Sequence, residues 1–195
     1  MTELKKSISK AEIQDLPLDY YRGDVHIVTN ADEIAVCLSD IEAADYLGMD
    51  TETKPNFVKG QFNPVALLQL ATPKAAYLFP LHRFGMPEPI KAVLESSSTC
   101  KIGIATAQDM KELKRDYGVR AQNILDLNQL AKRRGYKNVG ARNLAGLILG
   151  IRISKSKQMS NWEAFPLSES QVRYAATDAW VCLEIFSRLN VSKPK

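Results

Sequence analysis

The sequence has few cysteines, few histidines and no long hydrophobic run. Its three cysteines lie far apart and form no C-x-x-C pair, which argues against a disulfide framework or a zinc knuckle. The best apolar run, residues 65–71, is interrupted by Gln69 and is far shorter than the ~20 residues of a membrane-spanning helix. The basic start of the chain is not followed by the apolar stretch of a secretory signal. We therefore expect a cytoplasmic protein with no membrane association.

What remains is the composition of an ordinary globular chain. The 195 residues are 45% hydrophobic and 25% charged, which is enough for one compact domain with a core of useful size. No internal repeat or low-complexity tract divides the chain. We predict an N-terminal arm over residues 1–22, a single domain over 23–191 and a short tail over 192–195.

Charge is distributed unevenly along the chain. The formal net charge is only +4. However, residues 23–53 carry eight acids and no Lys or Arg, whereas residues 132–157 carry eight bases and no Asp or Glu. Two solvated surfaces of opposite sign would explain this pattern. The charge blocks alone favour that interpretation, while a cation site among the acids and a polyanion bound by the bases is the alternative that the motifs must decide.

Strand-like and helix-like segments alternate along the chain. This order predicts an α/β domain with a mixed sheet, and the residues after the last short strand are predicted to be mostly helical. Ser168 and Gln171 form a capping-box pattern that predicts a final helix from about residue 169 to 189. The predicted strands are residues 25–29, 46–52, 65–70, 75–79, 100–104 and 124–125.

Two carboxylates stand two residues apart at the end of a predicted strand. Asp50 and Glu52 must point to the same face of the sheet, where their charges need a cation or a proton. Mg²⁺ and Mn²⁺ are the natural candidates. The spacing alone is weak, because Asp40 and Glu42 repeat it within a predicted helix.

Further acids occupy positions that suit the same site. Tyr174 and Asp178 lie four residues apart on one face of the final helix, beside alanines that allow close approach to the sheet. Asp109 opens a helix after the strand 100–104, at the carboxyl edge where ligands bind in open α/β sheets. The order of D-x-E, then Asp, then Y-x-x-x-D is far more specific than any one part.

These motifs together resemble the tyrosine branch of the DEDD 3'-5' exonucleases, in particular the ribonuclease D and Werner-helicase exonuclease domains. The sister branch has a histidine five residues before the last Asp. Position 173 is Arg, and the two histidines, His26 and His82, lie far upstream, so that branch is excluded. The resemblance is carried by residues 47–52 (LGMDTE), 65–72 (VALLQLAT), 101–109 (KIGIATAQD), 161–162 (NW) and 166–179 (PLSESQVRYAATDA).

The resemblance implies a ribonuclease H-like fold, a mixed five-stranded sheet flanked by helices. It also implies hydrolysis of DNA or RNA at the 3' end, with release of nucleoside 5'-monophosphates. Two Mg²⁺ or Mn²⁺ ions ~3.5–4 Å apart would serve the reaction. In this scheme Asp50 bridges the ions, Glu52 and Asp178 hold the one that activates water, and Asp109 holds the other through water. Tyr174 matches the tyrosine that positions the attacking water.

Substrate contacts are predicted less directly. Lys155 and Lys157 lie in a serine-rich stretch and are candidates for contact with substrate phosphate, and Thr51 is a candidate for the pocket of the terminal nucleotide. Two other functions remain open, a catalytically silent nucleic-acid-binding module and a nuclease for very short oligonucleotides. The sequence carries no helicase or accessory domain, so we expect a stand-alone exonuclease. It does not distinguish DNA from RNA, and protein partners are unknown.

Overall fold

A mixed β-sheet lies at the centre of the computed structural model, which describes residues 5–58 and 60–189. Its order is β1-β4-β3-β2-β5-β6; β3 runs antiparallel to β2 and β4, while the β1–β4, β2–β5 and β5–β6 pairs are parallel. The strands are β1 (Asp24–Ile27), β2 (Tyr46–Thr53), β3 (Val65–Ala71), β4 (Ala75–Phe79), β5 (Cys100–Gly103) and β6 (Ile124–Asp126).

The sheet has six strands, not the five that the resemblance implied. One edge strand, β1, carries Val25 and Ile27, which pack against the apolar cluster that contains Trp162 and Leu167. Burial of these two alternate side chains stabilises the pairing of this four-residue strand with β4. All six segments predicted to be strands from their residue pattern are present, and the mixed α/β class is confirmed.

Helices flank the sheet. The final helix begins after Ser168 with the predicted capping box. The prediction of mostly helical structure after β6 is wrong for residues 150–168, which form turns, bends and irregular backbone. Gly150, with a left-handed φ of 71°, ends the preceding π-helical turn Ala145–Leu149. The α-helices are α1 (Lys10–Asp15), α2 (Ala31–Ala43), α3 (Leu81–Phe84), α4 (Glu88–Glu95), α5 (Ala107–Tyr117), α6 (Leu127–Arg133), α7 (Ala141–Leu144) and α8 (Glu169–Arg188).

Alternation along β2 fixes the direction of its carboxylates. Leu47 and Met49 are buried in the cluster that also holds side chains of α2, α4 and α5. Since successive strand residues point to opposite faces, Gly48, Asp50 and Glu52 face the other side of the sheet. That side is covered by α8, which packs on β2 and β3.

Gly48 allows α8 to approach β2 closely. A Cβ atom at this position would lie 2.1 Å from the carbonyl oxygen of Ala179. Ala175, Ala176 and Ala179 of α8 are fully buried, as their small size at a helix–sheet contact predicts. The spacing between β2 and α8, and therefore between their acidic side chains, depends on this contact.

Gly48→Ala is expected to destabilise the protein by about 1–3 kcal/mol, because the added methyl group must displace α8. Thermal or denaturant unfolding measures the change. Met49→Leu is the control, since it alters the opposite face of the same strand at nearly constant volume and is expected to cost less than about 1.5 kcal/mol. Equal stability of Gly48→Ala and the unmodified protein would contradict the close contact.

The described part of the predicted N-terminal arm lies on the domain. Ile13 of α1 is buried, and the amide of Ile8 donates to Asn138 Oδ1 at 3.0 Å. Further along, the amide of Tyr21 donates to Thr177 Oγ1 of α8 at 3.0 Å. The limits of the domain at 23 and 191 stay predictions, and the predicted tail lies outside the described residues.

Two predictions from composition can be compared with the structure. Cys37, Cys100 and Cys182 are free and buried, as expected of small core residues. Within the described ranges, no helix has both the length and the apolar character needed to cross a bilayer.

Candidate active site

Three carboxylates meet between β2 and α8. One carboxylate oxygen from each of Asp50, Glu52 and Asp178 can be chosen so that all three lie within 4.8 Å of one another. Asp50 and Glu52 lie at the carboxyl end of β2. Asp178 lies on α8, the helix that covers the face of the sheet toward which Asp50 and Glu52 point. We call these three side chains the acid cluster.

The acid cluster holds more negative charge than its surroundings compensate. Burial, followed by repulsion from Asp178 and Asp109, raises the pKa of Asp50 well above its ordinary value. Burial and the charge of Asp50 raise the pKa of Glu52 to about 10. Burial also raises the pKa of Asp178 to about 7, although Tyr174 and Lys155 oppose the shift. Converging carboxylates with raised pKa values suit a hard divalent cation, which binds oxygen ligands and would supply the missing charge.

Asp109 lies beside the acid cluster but is not one of its three members. It sits in the first turn of α5, and the hydroxyl of Thr51 donates to its Oδ1 at 2.5 Å. Burial raises the pKa of Asp109 to about 6. Thr51, predicted to bind substrate, therefore orients a carboxylate in the structure.

Tyr174 faces the acid cluster from α8. Burial and the neighbouring carboxylates of Asp178 and Glu52 raise the pKa of its phenol far above the ordinary value. The ring packs beside the fully buried Trp162, with centroids 5.8 Å apart. A phenol that stays protonated can donate a hydrogen bond but cannot act as a base near neutral pH.

The acid cluster opens into a cleft with basic and polar walls. Of the two lysines predicted to contact substrate phosphate, Lys155 lines this cleft, whereas Lys157 is not among the residues around it in the described ranges. Arg142 also lines the cleft, and its Nε is buried without a hydrogen-bond partner. The sequence places Arg142 in the basic segment 132–157 but gives no signal that singles it out. Gln158 and Ser154 were likewise not predicted.

A comparison with models of known protein families agrees with this arrangement of carboxylates, tyrosine and cleft. A family model described as 3'-5' exonuclease matches residues 25–192. The chain belongs to this 3'-5' exonuclease family. It is therefore an exonuclease domain of the hydrolase class, and the resemblance noted in the sequence is confirmed.

Two relatives of this exonuclease domain are also named as 3'-5' exonucleases. The mouse bifunctional 3'-5' exonuclease/ATP-dependent helicase WRN is 32% identical over 200 residues, which cover 96% of this chain and 14% of the mouse protein. A 3'-5' exonuclease of Arabidopsis thaliana is 32% identical over 151 residues, covering 74% of this chain and 52% of the plant protein. The exonuclease domain thus spans about half or less of the length of these relatives.

Solved structures resemble the exonuclease domain across most of its length. The Nibbler EXO domain of Aedes aegypti has a TM-score of 0.78 and 28% identity, covering 87% of this chain and 90% of that one. Escherichia coli RNase D, described as an exoribonuclease involved in structured RNA processing, has a TM-score of 0.76 and 26% identity, covering 88% of this chain and 44% of that one. The ribonuclease H-like fold class is confirmed.

Proposed function

We propose that the chain is a divalent-metal-dependent 3'-5' exonuclease that hydrolyses the terminal phosphodiester of DNA or RNA and releases nucleoside 5'-monophosphates. The observation that carries this proposal is the convergence of Asp50, Glu52 and Asp178 within 4.8 Å in a cleft that also contains Tyr174. Family membership supports action at nucleic-acid 3' ends. The metal requirement, the two-ion count and the products are the proposed parts.

The four carboxylates are the proposed ligands of the two ions. Asp50 would contribute to both ion sites, and Glu52 and Asp178 would complete the site of one Mg²⁺ or Mn²⁺ ion. Asp109, which accepts a hydrogen bond from Thr51, would hold the second ion. When bound, the two ions supply an activated water and stabilise the leaving oxygen.

The remaining side chains orient and bind. The protonated Tyr174 donates a hydrogen bond to the attacking water or to a phosphate oxygen. Lys155 and Arg142, on the wall of the cleft, are placed to contact the negatively charged phosphate.

A substrate panel tests the proposal. The protein is incubated with single-stranded DNA, 3'-recessed duplex DNA, RNA and very short oligonucleotides, in Mg²⁺, in Mn²⁺ and in EDTA. We expect metal-dependent trimming from the 3' end of at least one polymer. Trimming of the short oligonucleotides alone would favour the third function considered from the sequence, and binding without trimming would favour the silent module.

Tyr174→Phe is expected to lower kcat roughly 10- to 100-fold, because a hydrogen bond to a charged group is worth about 1.5–3 kcal/mol. Single-turnover trimming of the best substrate measures the effect. Tyr46→Phe is the matched control: Tyr46 stands four residues before Asp50 in the same Y-x-x-x-D spacing but packs against Phe186 with centroids 4.8 Å apart. A kcat for Tyr174→Phe as high as that for Tyr46→Phe would refute the role of the phenol.

A further inference from the structure

A second cleft adjoins the acid cluster on the side of the N-terminal segment. Ser154, Tyr174 and Asp178 line both clefts, so the two share a wall at the side chains proposed to act on the scissile bond. The far side of the second cleft is formed by Leu18, Asp19 and Tyr20 from the N-terminal segment, and by Arg173 of α8. We call this space the N-terminal groove.

Two arginines flank the tyrosine in the N-terminal groove. The guanidinium carbons of Arg22 and Arg173 each lie 4.5 Å from the centroid of the Tyr20 ring. Both arginines are exposed. Arg22 donates from Nε and Nη2 to Asp19 Oδ1 at 3.4 and 3.1 Å, so its other N–H groups and those of Arg173 are the ones that a ligand would use. Asp19 offsets one of the two charges, since its Oδ1 lies 3.1 Å from Arg22 Nη2 and accepts from the Tyr20 amide at 2.9 Å.

The wall that carries Tyr20 is anchored on both sides. The Asp19 amide donates to the Arg152 carbonyl at 3.0 Å, and the Tyr21 amide donates to Thr177 Oγ1 at 3.0 Å. These bonds hold the backbone of Tyr20 against the segment that contains Arg152 and Ser154 and against α8. Because the segment is already ordered, a ligand that binds there would lose little binding free energy in ordering it.

The composition of the N-terminal groove matches a single nucleic-acid strand. Guanidinium groups bind phosphate oxygens and offer flat surfaces to bases. Leu18, which is 51% exposed, adds an apolar contact of the kind that an unstacked base needs, and Ser154 and Ser156 add hydroxyl donors. The terminal nucleotide needs a closed end, whereas the rest of the strand must leave toward solvent, and half of the residues that line this groove are exposed.

We infer that the N-terminal groove binds the nucleotides on the 5' side of the scissile bond, with Arg22 and Arg173 contacting backbone phosphates and Tyr20 positioning both guanidiniums. The inference rests on the proposed exonuclease function. Residues 18–22 would therefore contribute to substrate binding, and their contribution would increase with the length of the substrate.

The test measures whether the effect of each arginine substitution depends on the length of the substrate strand. Arg173→Gln and Arg22→Gln are assayed for kcat/KM on a dinucleotide and on a strand of about twelve nucleotides with the same 3' end. We expect the loss on the longer strand to exceed the loss on the dinucleotide by about tenfold. Arg188→Gln is the matched control, because it removes the same charge from an exposed position on the same helix. Equal losses at both lengths, or no difference from Arg188→Gln, would overturn the assignment.

A binding measurement separates this inference from the proposed function. Fluorescence polarisation of a labelled strand in EDTA needs no turnover. Arg22→Gln and Arg173→Gln are each expected to weaken binding and to reduce the slope of log K against log salt by about 1, relative to Arg188→Gln. If the unmodified protein binds the strand but never trims it, the proposed function is refuted and the assignment of the N-terminal groove stands. If both groove variants trim with unchanged length dependence and salt slope, the groove assignment alone is refuted.

Discussion

Asp50→Ala and Asp178→Ala are each expected to reduce trimming of 3' ends at least about a thousandfold, since several kcal/mol of transition-state charge stabilisation depend on the bound ions. Asp50 reaches the acid cluster from β2 and Asp178 reaches it from α8, so neither can replace the other. Both variants are expected to fold, because removing one buried carboxylate relieves repulsion with its neighbours. Single-turnover rates and circular dichroism measure the two effects.

The chain contains its own control for this experiment. Asp40 and Glu42 repeat the D-x-E spacing on α2. Asp40 accepts hydrogen bonds from Thr72 and Tyr77 at 2.5 and 2.9 Å, whereas Glu42 is exposed. Glu42→Ala is therefore expected to trim at the unmodified rate. If Asp50→Ala trims as fast as Glu42→Ala, the acid cluster is not the catalytic site.

The stability of the metal-free protein is expected to fall as pH rises from about 4.5 to about 10. In the folded protein the pKa of Asp178 lies at about 7 and that of Glu52 at about 10, against ordinary values of 3.8 and 4.5. Through these two carboxyl groups the folded state binds more protons than the unfolded state across this window, and each rise in pH favours unfolding. The pKa of the buried Lys101, lowered to about 8, opposes this trend above that pH. Thermal unfolding in EDTA over this range measures the slope.

Divalent cations are expected to reverse this loss. An ion at one hundred times its Kd stabilises the folded state by about 2.7 kcal/mol, which corresponds to a rise in Tm of roughly 5–10 °C for a chain of this size. Glu52→Gln is expected to flatten the pH dependence and to lose most of the response to Mn²⁺, while Glu42→Gln keeps both. A Tm of the unmodified protein that does not respond to Mn²⁺ would contradict a cation site in the acid cluster.

Local patterns predicted most of the fold and the centre of the site. The six strand segments have continuous or alternating apolar residues, and the capping box at Ser168 sets the start of α8 and so the register of Tyr174 and Asp178. Two-residue alternation likewise places Asp50 and Glu52 on one face. These predictions succeed because strand and helix periodicity follow directly from the backbone.

Features that depend on distant residues were not predicted. Lys101 looks like an exposed strand residue, yet it is fully buried, and its Nζ donates to the carbonyl oxygens of Ser96 and Thr99 at 2.6 and 3.0 Å. Arg142 reaches the cleft only because the chain turns back after β6. The N-terminal segment shows no pattern that predicts its contacts with Thr177 and Arg152. Each of these placements is set by tertiary contacts that no local spacing records.

The most direct test follows 5'-labelled single-stranded DNA, 3'-recessed duplex DNA and RNA over time with Mn²⁺, with EDTA and with the Asp178→Ala variant, while mass spectrometry identifies the released nucleotides. For at least one of these polymers, the account predicts a ladder that shortens one nucleotide at a time from the 3' end and releases nucleoside 5'-monophosphates, and it predicts this only when Mn²⁺ and the unmodified protein are both present. All three polymers left intact, internal cuts, or equal trimming in EDTA or by Asp178→Ala would contradict it.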